Sequence, residues 1–239
     1  MTLRRQPTPL EKRAGYHDLL ADLKRAGCPA CHGANRSAWR YIDALLWESV
    51  NDAETRARLR ATHGFCRTHA FMALTIASQQ GDSLGMAILY EDFLRNMHAE
   101  VLEVLEPKRR RRRGKTLRVG QRCIICESAD STASNYLAIL AAAEEGTEPW
   151  EAIRRPEHGI CLPHLALGLR SHRPEQERAR ITGAFLQGEA ELRANLKELI
   201  RKHDYRFHDE GITDEERASW IHAVRRVVGE PSARRQPER

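Results

Sequence analysis

The sequence predicts an all-α fold with long helices packed together, no sheet, and one helical unit present twice. Three observations predict it. A set of four Cys and His residues occurs twice at one spacing, apolar residues recur at helical intervals, and no convincing run of alternating β-branched residues appears. The length of 239 residues and a hydrophobic content of 41% allow a packed core.

The duplication is read from the ligand pattern. Cys28 and Cys31 are followed by Cys66 and His69, and Cys123 and Cys126 by Cys161 and His164. The second and third cysteines of each set lie 35 positions apart, and every member of the second set lies 95 positions after its counterpart. The agreement extends to neighbours. His63-Gly64-Phe65-Cys66 matches His158-Gly159-Ile160-Cys161, and Tyr41 and Leu45 fall on Tyr136 and Leu140. The resulting division is a first helical repeat over 1–106 with one Cys3His site, a basic linker over 107–122, and a second helical repeat over 123–208 with another. A C-terminal docking helix over 209–229 and a disordered tail over 230–239 complete it.

Taken in order, helices are expected at Ser37 to Ser49, Ala53 to Thr62, and Thr68 to Gln79. From Gly85 to Glu106 the residues Met86, Tyr90, Phe93, Met97, Val101 and Val104 form one long apolar stripe. Its natural partner is the repeat equivalent, Ile181 to His203, where the stripe of Phe185, Leu192, Leu196 and Leu199 is interrupted at Gly188. Shorter helices are expected at Ala133 to Glu144 and Pro163 to Leu169. Thr213 with Glu216 makes a capping box for a final helix, Asp214 to Val228, expected to dock by Trp220, Ile221, Val224 and Val227.

The chemistry lies in the repeated set. A Cys-x-x-Cys puts two thiolates on one turn, and a Cys/His pair from a distant segment completes a tetrahedron around one ion. Three thiolates and an imidazole leave no position for water, so two structural zinc ions are expected, with an iron–sulfur cluster as the alternative. Two pairings are open: each repeat closes its own site, or Cys28 and Cys31 share an ion with Cys161 and His164. The competing reading, a thioredoxin-type dithiol, requires a βαβ setting and leaves the repeated histidines unexplained. His63 and His158 recur beside the ligands and are candidates for supporting them, although a His followed by Gly also suits a helix C-terminus. His32 is matched by Glu127 in the second repeat and is not expected to ligate.

The formal charge of +6 is local: residues 107–122 hold nine Lys or Arg and no acid, leaving 30 basic and 33 acidic residues elsewhere. The run Arg109, Arg110, Arg111, Arg112 and Arg113 would attract nucleic-acid phosphate, but no aromatic interleaves with it to stack bases. After the second long helix, His203, Asp204, Tyr205 and Arg206 form a polar group that reads either as an anion or partner site or as a helix ending anchored by Tyr205 and Phe207. The polar N-terminus and the lack of a long apolar run predict a cytoplasmic protein without a membrane partner. No phosphate loop, nucleophile elbow, zinc-protease motif or carboxylate pair is visible, so an interaction scaffold, with protein as the expected partner, ranks above an enzyme. A thiol or iron–sulfur redox sensor is the alternative.

The motifs Cys-Pro-Ala-Cys at 28 to 31, Gly-Phe-Cys-Arg-Thr-His at 64 to 69, Cys-Ile-Ile-Cys at 123 to 126, Gly-Ile-Cys-Leu-Pro-His at 159 to 164 and Arg-Lys-His-Asp-Tyr-Arg-Phe at 201 to 207 are specific. Together they resemble the bacterial domain-of-unknown-function family 6062 over about residues 20 to 230. The resemblance implies a single architecture and no established activity.

Overall fold

A computed structural model describes residues 9–81, 83–105, 122–155, 157–170 and 174–231. They form ten α-helices: α1 Tyr16–Asp22, α2 Pro29–Glu48, α3 Ala53–Ala61, α4 Arg67–Gln80, α5 Leu84–Leu105, α6 Ile124–Ala142, α7 Glu148–Ile153, α8 Leu162–Arg170, α9 Glu175–Lys202 and α10 Asp214–Val228. Among the described residues there is no strand, and the one β-type pairing is an isolated bridge between Gly27 and His158. The all-α expectation holds.

The chain divides into two compact units, but not at 106 and 123. One unit takes residues up to Ala34 together with Ser131–Pro231, and the other takes Asn35–Asp130. Both boundaries fall inside helices, α2 and α6, so each of these gives residues to both units. The sequence repeat is therefore a unit of duplication, not a unit of folding. Each fold unit has its own core. In the first, Leu19, Tyr136, Leu137, Leu140, Ile153 and Ile181 are buried together. In the second, Ile42, Leu45, Leu59, Ile76, Leu89 and Phe93 are.

Helix α2 begins earlier than its periodicity suggests. Pro29, with φ preset and no N–H to lose, suits the first helical position. Gly33 would ordinarily weaken the helix, but the Tyr136 ring occupies the space of its missing side chain, and a Cβ there would come within 2.6 Å. Helix α3 stops as its sequence predicts: the Gly64 N–H donates to the Leu59 carbonyl and the His63 N–H to the Arg60 carbonyl, with both residues left-handed at φ +89° and +56°. The long helix α5 packs on α3 and α4, and α9 packs on α8 and α10.

Helix α10 has the expected bounds and capping box, with the Glu216 N–H donating to Thr213 Oγ1 (3.2 Å) and the Thr213 N–H to Glu216 Oε2 (3.0 Å). The expected docking face is overturned. Trp220, Val224, Val227 and Val228 are exposed, Trp220 by 57%, while Glu216, Ser219 and Arg226 are buried. Partners far along the chain make the polar face the inner one: the Lys202 ammonium, 11% exposed, donates to both Glu216 oxygens at 2.7 and 2.9 Å. Arg226 turns toward the Cys28 region, described below. The expected linker 107–122 lies outside the described residues except for Arg122, and so does the expected tail beyond Pro231.

Candidate metal centres

The eight expected ligands gather into two groups of four, with partners exchanged between the repeats. Cys28 and Cys31 meet Cys161 and His164; Cys66 and His69 meet Cys123 and Cys126. All four pairs are built alike. A cysteine stands immediately before a helix and the second ligand lies three residues on, in the first turn of α2, α4, α6 or α8. Residues three apart on a helix share a face, and the positive end of the helix dipole favours thiolate there.

In the first centre Cys31 Sγ lies 3.6 Å from Cys161 Sγ and 3.2 Å from His164 Nδ1, and Cys28 Sγ and Cys161 Sγ lie 3.7 and 3.2 Å from the same nitrogen. In the second, Cys66, Cys123 and Cys126 lie 3.3, 3.4 and 3.4 Å from His69 Nδ1, with sulfur separations of 3.6 and 3.8 Å. A tetrahedron with metal–sulfur bonds of ~2.3 Å and metal–nitrogen bonds of ~2.0 Å has sulfur–sulfur edges of about 3.8 Å and sulfur–nitrogen edges of about 3.5 Å. The observed separations match those edges to within a few tenths of an ångström. They are also too long for disulfides, and all six cysteines are free.

The electrostatics of both groups are compatible with a cation at the centre. Burial opposes ionisation of Cys28, yet contacts with Cys161, Cys31 and His164 hold its thiol well below the ordinary range, while the Cys161 and Cys28 sulfurs push Cys31 up. In the second group Cys126 and Cys66 hold Cys123 down, and Cys123 and Cys66 push Cys126 up. Burial would lower both imidazoles, but the neighbouring sulfurs raise His69 to about 9 and His164 to about 10. Crowded thiols thus ionise only in part and recruit a proton onto the ring. A divalent cation would replace those protons. Both Cys3His-type groups could therefore hold a metal ion.

The surroundings differ. Cys28, Cys31 and Cys161 are buried, whereas Cys66 and Cys126 are half-buried. Beside the first centre, the Glu230 N–H points to Cys31 Sγ at 3.3 Å, and Gly229 sits so close that a Cβ would lie 3.3 and 3.5 Å from the Cys31 and Cys161 sulfurs. Arg226, 7% exposed, donates to the His158 carbonyl at 2.5 Å and lies over Phe185. The sequence pattern gives none of the three a role: Glu230 falls in the expected tail, and Arg226 in the expected docking helix outside its apolar stripe. The one signal was the break in the α9 stripe at Gly188, where a side chain would come within 3.1 Å of the Arg226 guanidinium.

The remaining candidates are placed as follows. His63 Nε2 bonds Glu100 Oε2 at 2.7 Å, beyond the end of α3 rather than in its last turn. His158 is buried, with its Nδ1 unpartnered and its backbone bridged to Gly27. His32 Nε2 donates to the Ala26 carbonyl. His203 caps α9, its Nδ1 donating to the Leu199 carbonyl. The Arg206 guanidinium is taken up by Asp204 at 2.7 Å, and Tyr205 is 82% exposed. Arg109 to Arg113 lie outside the described residues.

Fold and site together define an all-α protein with two exchanged Cys3His-type centres. The chain belongs to the family of unknown function DUF6062, whose model matches residues 19–231. It is 26% identical over 212 residues to an "Uncharacterized 23.9 kDa protein in xynA 3'region" from Caldicellulosiruptor sp. (strain Rt8B.4), covering 88% of this chain and 99% of that protein. No solved structure matches.

Proposed function

We propose that the protein is a zinc-stabilised helical scaffold that engages another protein. The observation that carries the zinc reading is the tetrahedral edge length at both centres. Four protein ligands around a point leave no coordination position for water or substrate, which suits a structural ion. A cluster of several irons would hold its ligand atoms farther apart than one ion does, and the ligand atoms of each group all lie within 4.8 Å of one another. The ion would hold together segments whose nearest ligands, Cys31 and Cys161, are 130 positions apart, and its binding energy would become folding energy.

The scaffold reading is supported by apolar surface. Trp220, Val224, Val227 and Val228 form a stripe on the outside of α10, and Phe71 and Leu74 are exposed on α4. Exposed aromatic and aliphatic groups arranged along one helix face are what partner helices and grooves bind. No helix among the described residues is long and apolar enough to cross a membrane.

Metal analysis of the purified protein with its absorption spectrum tests the proposal. About two zinc ions per chain and a colourless solution are expected. A brown protein that bleaches in air would replace zinc by iron–sulfur and move the function to redox sensing, and a metal-free folded chain would end both.

A further inference from the structure

Three buried polar atoms around one small cavity lack hydrogen-bond partners: His158 Nδ1, Arg226 Nη1 and Glu230 Oε1. Their side chains are 7%, 7% and 8% exposed. The cavity of about 10 Å³ is lined also by Cys28, His222 and Arg225. That is room for one water, and the three atoms supply a donor, an acceptor and a ring nitrogen that can act as either. The other Glu230 oxygen is held by Arg225 Nε at 3.3 Å.

Three thiolates around a divalent cation leave a net charge of −1, buried here almost completely. A buried charge is costly unless a counter-charge and hydrogen bonds meet it. Arg226 is the buried cation at this place. Burial pushes its guanidinium down and the Cys28 and Cys161 sulfurs draw it back up, so their charges act on one another. Gly159 and Gly188 both leave room for it: a Cβ on either would come within 2.5 or 3.1 Å of Arg226 Nη1.

Resting on the metal reading above, we infer that the C-terminal end of α10 locks the ion in the Cys28, Cys31, Cys161 and His164 centre. Arg226 balances the charge of that centre, Gly229 and the Glu230 amide close over its sulfurs, and one bound water ties Arg226, Glu230 and His158 together. Arg226 acts here as a positioning residue. It belongs to a segment without a counterpart in the first repeat, so the two centres hold ions of unequal lability although their ligands are the same. The exchangeable ion is the one at Cys66, His69, Cys123 and Cys126.

The test is zinc release from the full, zinc-loaded chain to an excess of chromogenic chelator. Two phases of one ion each are expected, and His69→Ala should abolish the fast one. Arg226→Gln should speed the slow phase about tenfold or more and leave the fast phase unchanged, the scale on which groups supporting metal ligands act; Arg226→Lys should restore part of the difference. Glu230→Ala, beyond the helix end and keeping the backbone N–H that faces Cys31, is the second variant and should speed the slow phase severalfold. Two ions leaving in one phase, or a slow phase indifferent to both positions, overturns the inference and leaves the metal reading standing. Absence of bound zinc overturns both.

Discussion

The two centres carry one ligand set on one local scaffold, yet the first has three of its four ligands buried and the second two. Cys28, Cys31 and Cys161 are at most 6% exposed with His164 half-buried, while Cys123 and His69 are buried with Cys66 and Cys126 half-buried. The difference comes from the unrepeated part of the chain: α10 brings Arg226, Gly229 and Glu230 to the first centre. Duplication copied the ligands, and an added helix distinguished the copies.

The largest expected effect is loss of a whole centre. Cys31→Ser should release one ion and melt the helices of its unit while the other unit keeps its own, because ion binding on the order of 10 kcal/mol is coupled to folding. Circular dichroism with metal analysis reads this, and full helicity without the ion would break the comparison.

Next are buried polar groups that differ between the repeats. The Tyr136 hydroxyl donates to Asp22 at 3.0 Å, both residues being buried, whereas its repeat counterpart Tyr41 is half-buried. Tyr136→Phe should cost about 1–3 kcal/mol in urea unfolding, as expected when a buried acceptor loses a donor, and Tyr41→Phe distinctly less. Equal costs would mean that the two tyrosines do the same work.

Asp92 on α5 marks the second unit in acid. Burial alone would push its carboxyl up, but Arg60, Arg95 and Arg56 hold it at about 2. A carboxyl depressed in the fold contributes stability that is present above an unfolded value of about 3.9 and is lost as pH falls through 2. Asp92→Asn should therefore destabilise the second unit at neutral pH and flatten its stability between pH 4 and 2, without changing the first unit over that window. Parallel acid profiles for the variant and the parent would remove Asp92 from the account.

The smallest effect is expected on the outside of α10. Trp220→Ser should change stability by no more than about 0.5 kcal/mol, as exposed substitutions do, where a docked indole would cost several times more.

Much of this was legible in the sequence. The eight ligands, the capping box at Thr213 and Glu216, and the stop of α3 at His63 and Gly64 are encoded within a few residues, so local rules reach them. What escaped depends on distant partners. Nothing near Cys28 says that its site is shared with Cys161 and His164, because a Cys-x-x-Cys fits either pairing. The orientation of α10 was misread for a related reason. Apolar spacing pointed Trp220 inward, but Lys202 and the Cys28 region supply partners for Glu216 and Arg226 that hydropathy does not register. Gly188, read as an interruption of an apolar stripe, is the seat for Arg226, and Gly33, before the helix start expected at Ser37, is the seat for Tyr136. Helices α1 and α7 were not anticipated, at seven and six residues too short to show a period.

The central claim is that the repeats exchange ligands, and metal stoichiometry of paired variants by native mass spectrometry tests it most directly. Cys31→Ser combined with Cys161→Ser strikes one centre twice, so one ion should remain per chain; Cys31→Ser with Cys66→Ser strikes both, so none should. If each repeat closed its own site the outcomes would reverse, with no ion in the first pair and one in the second.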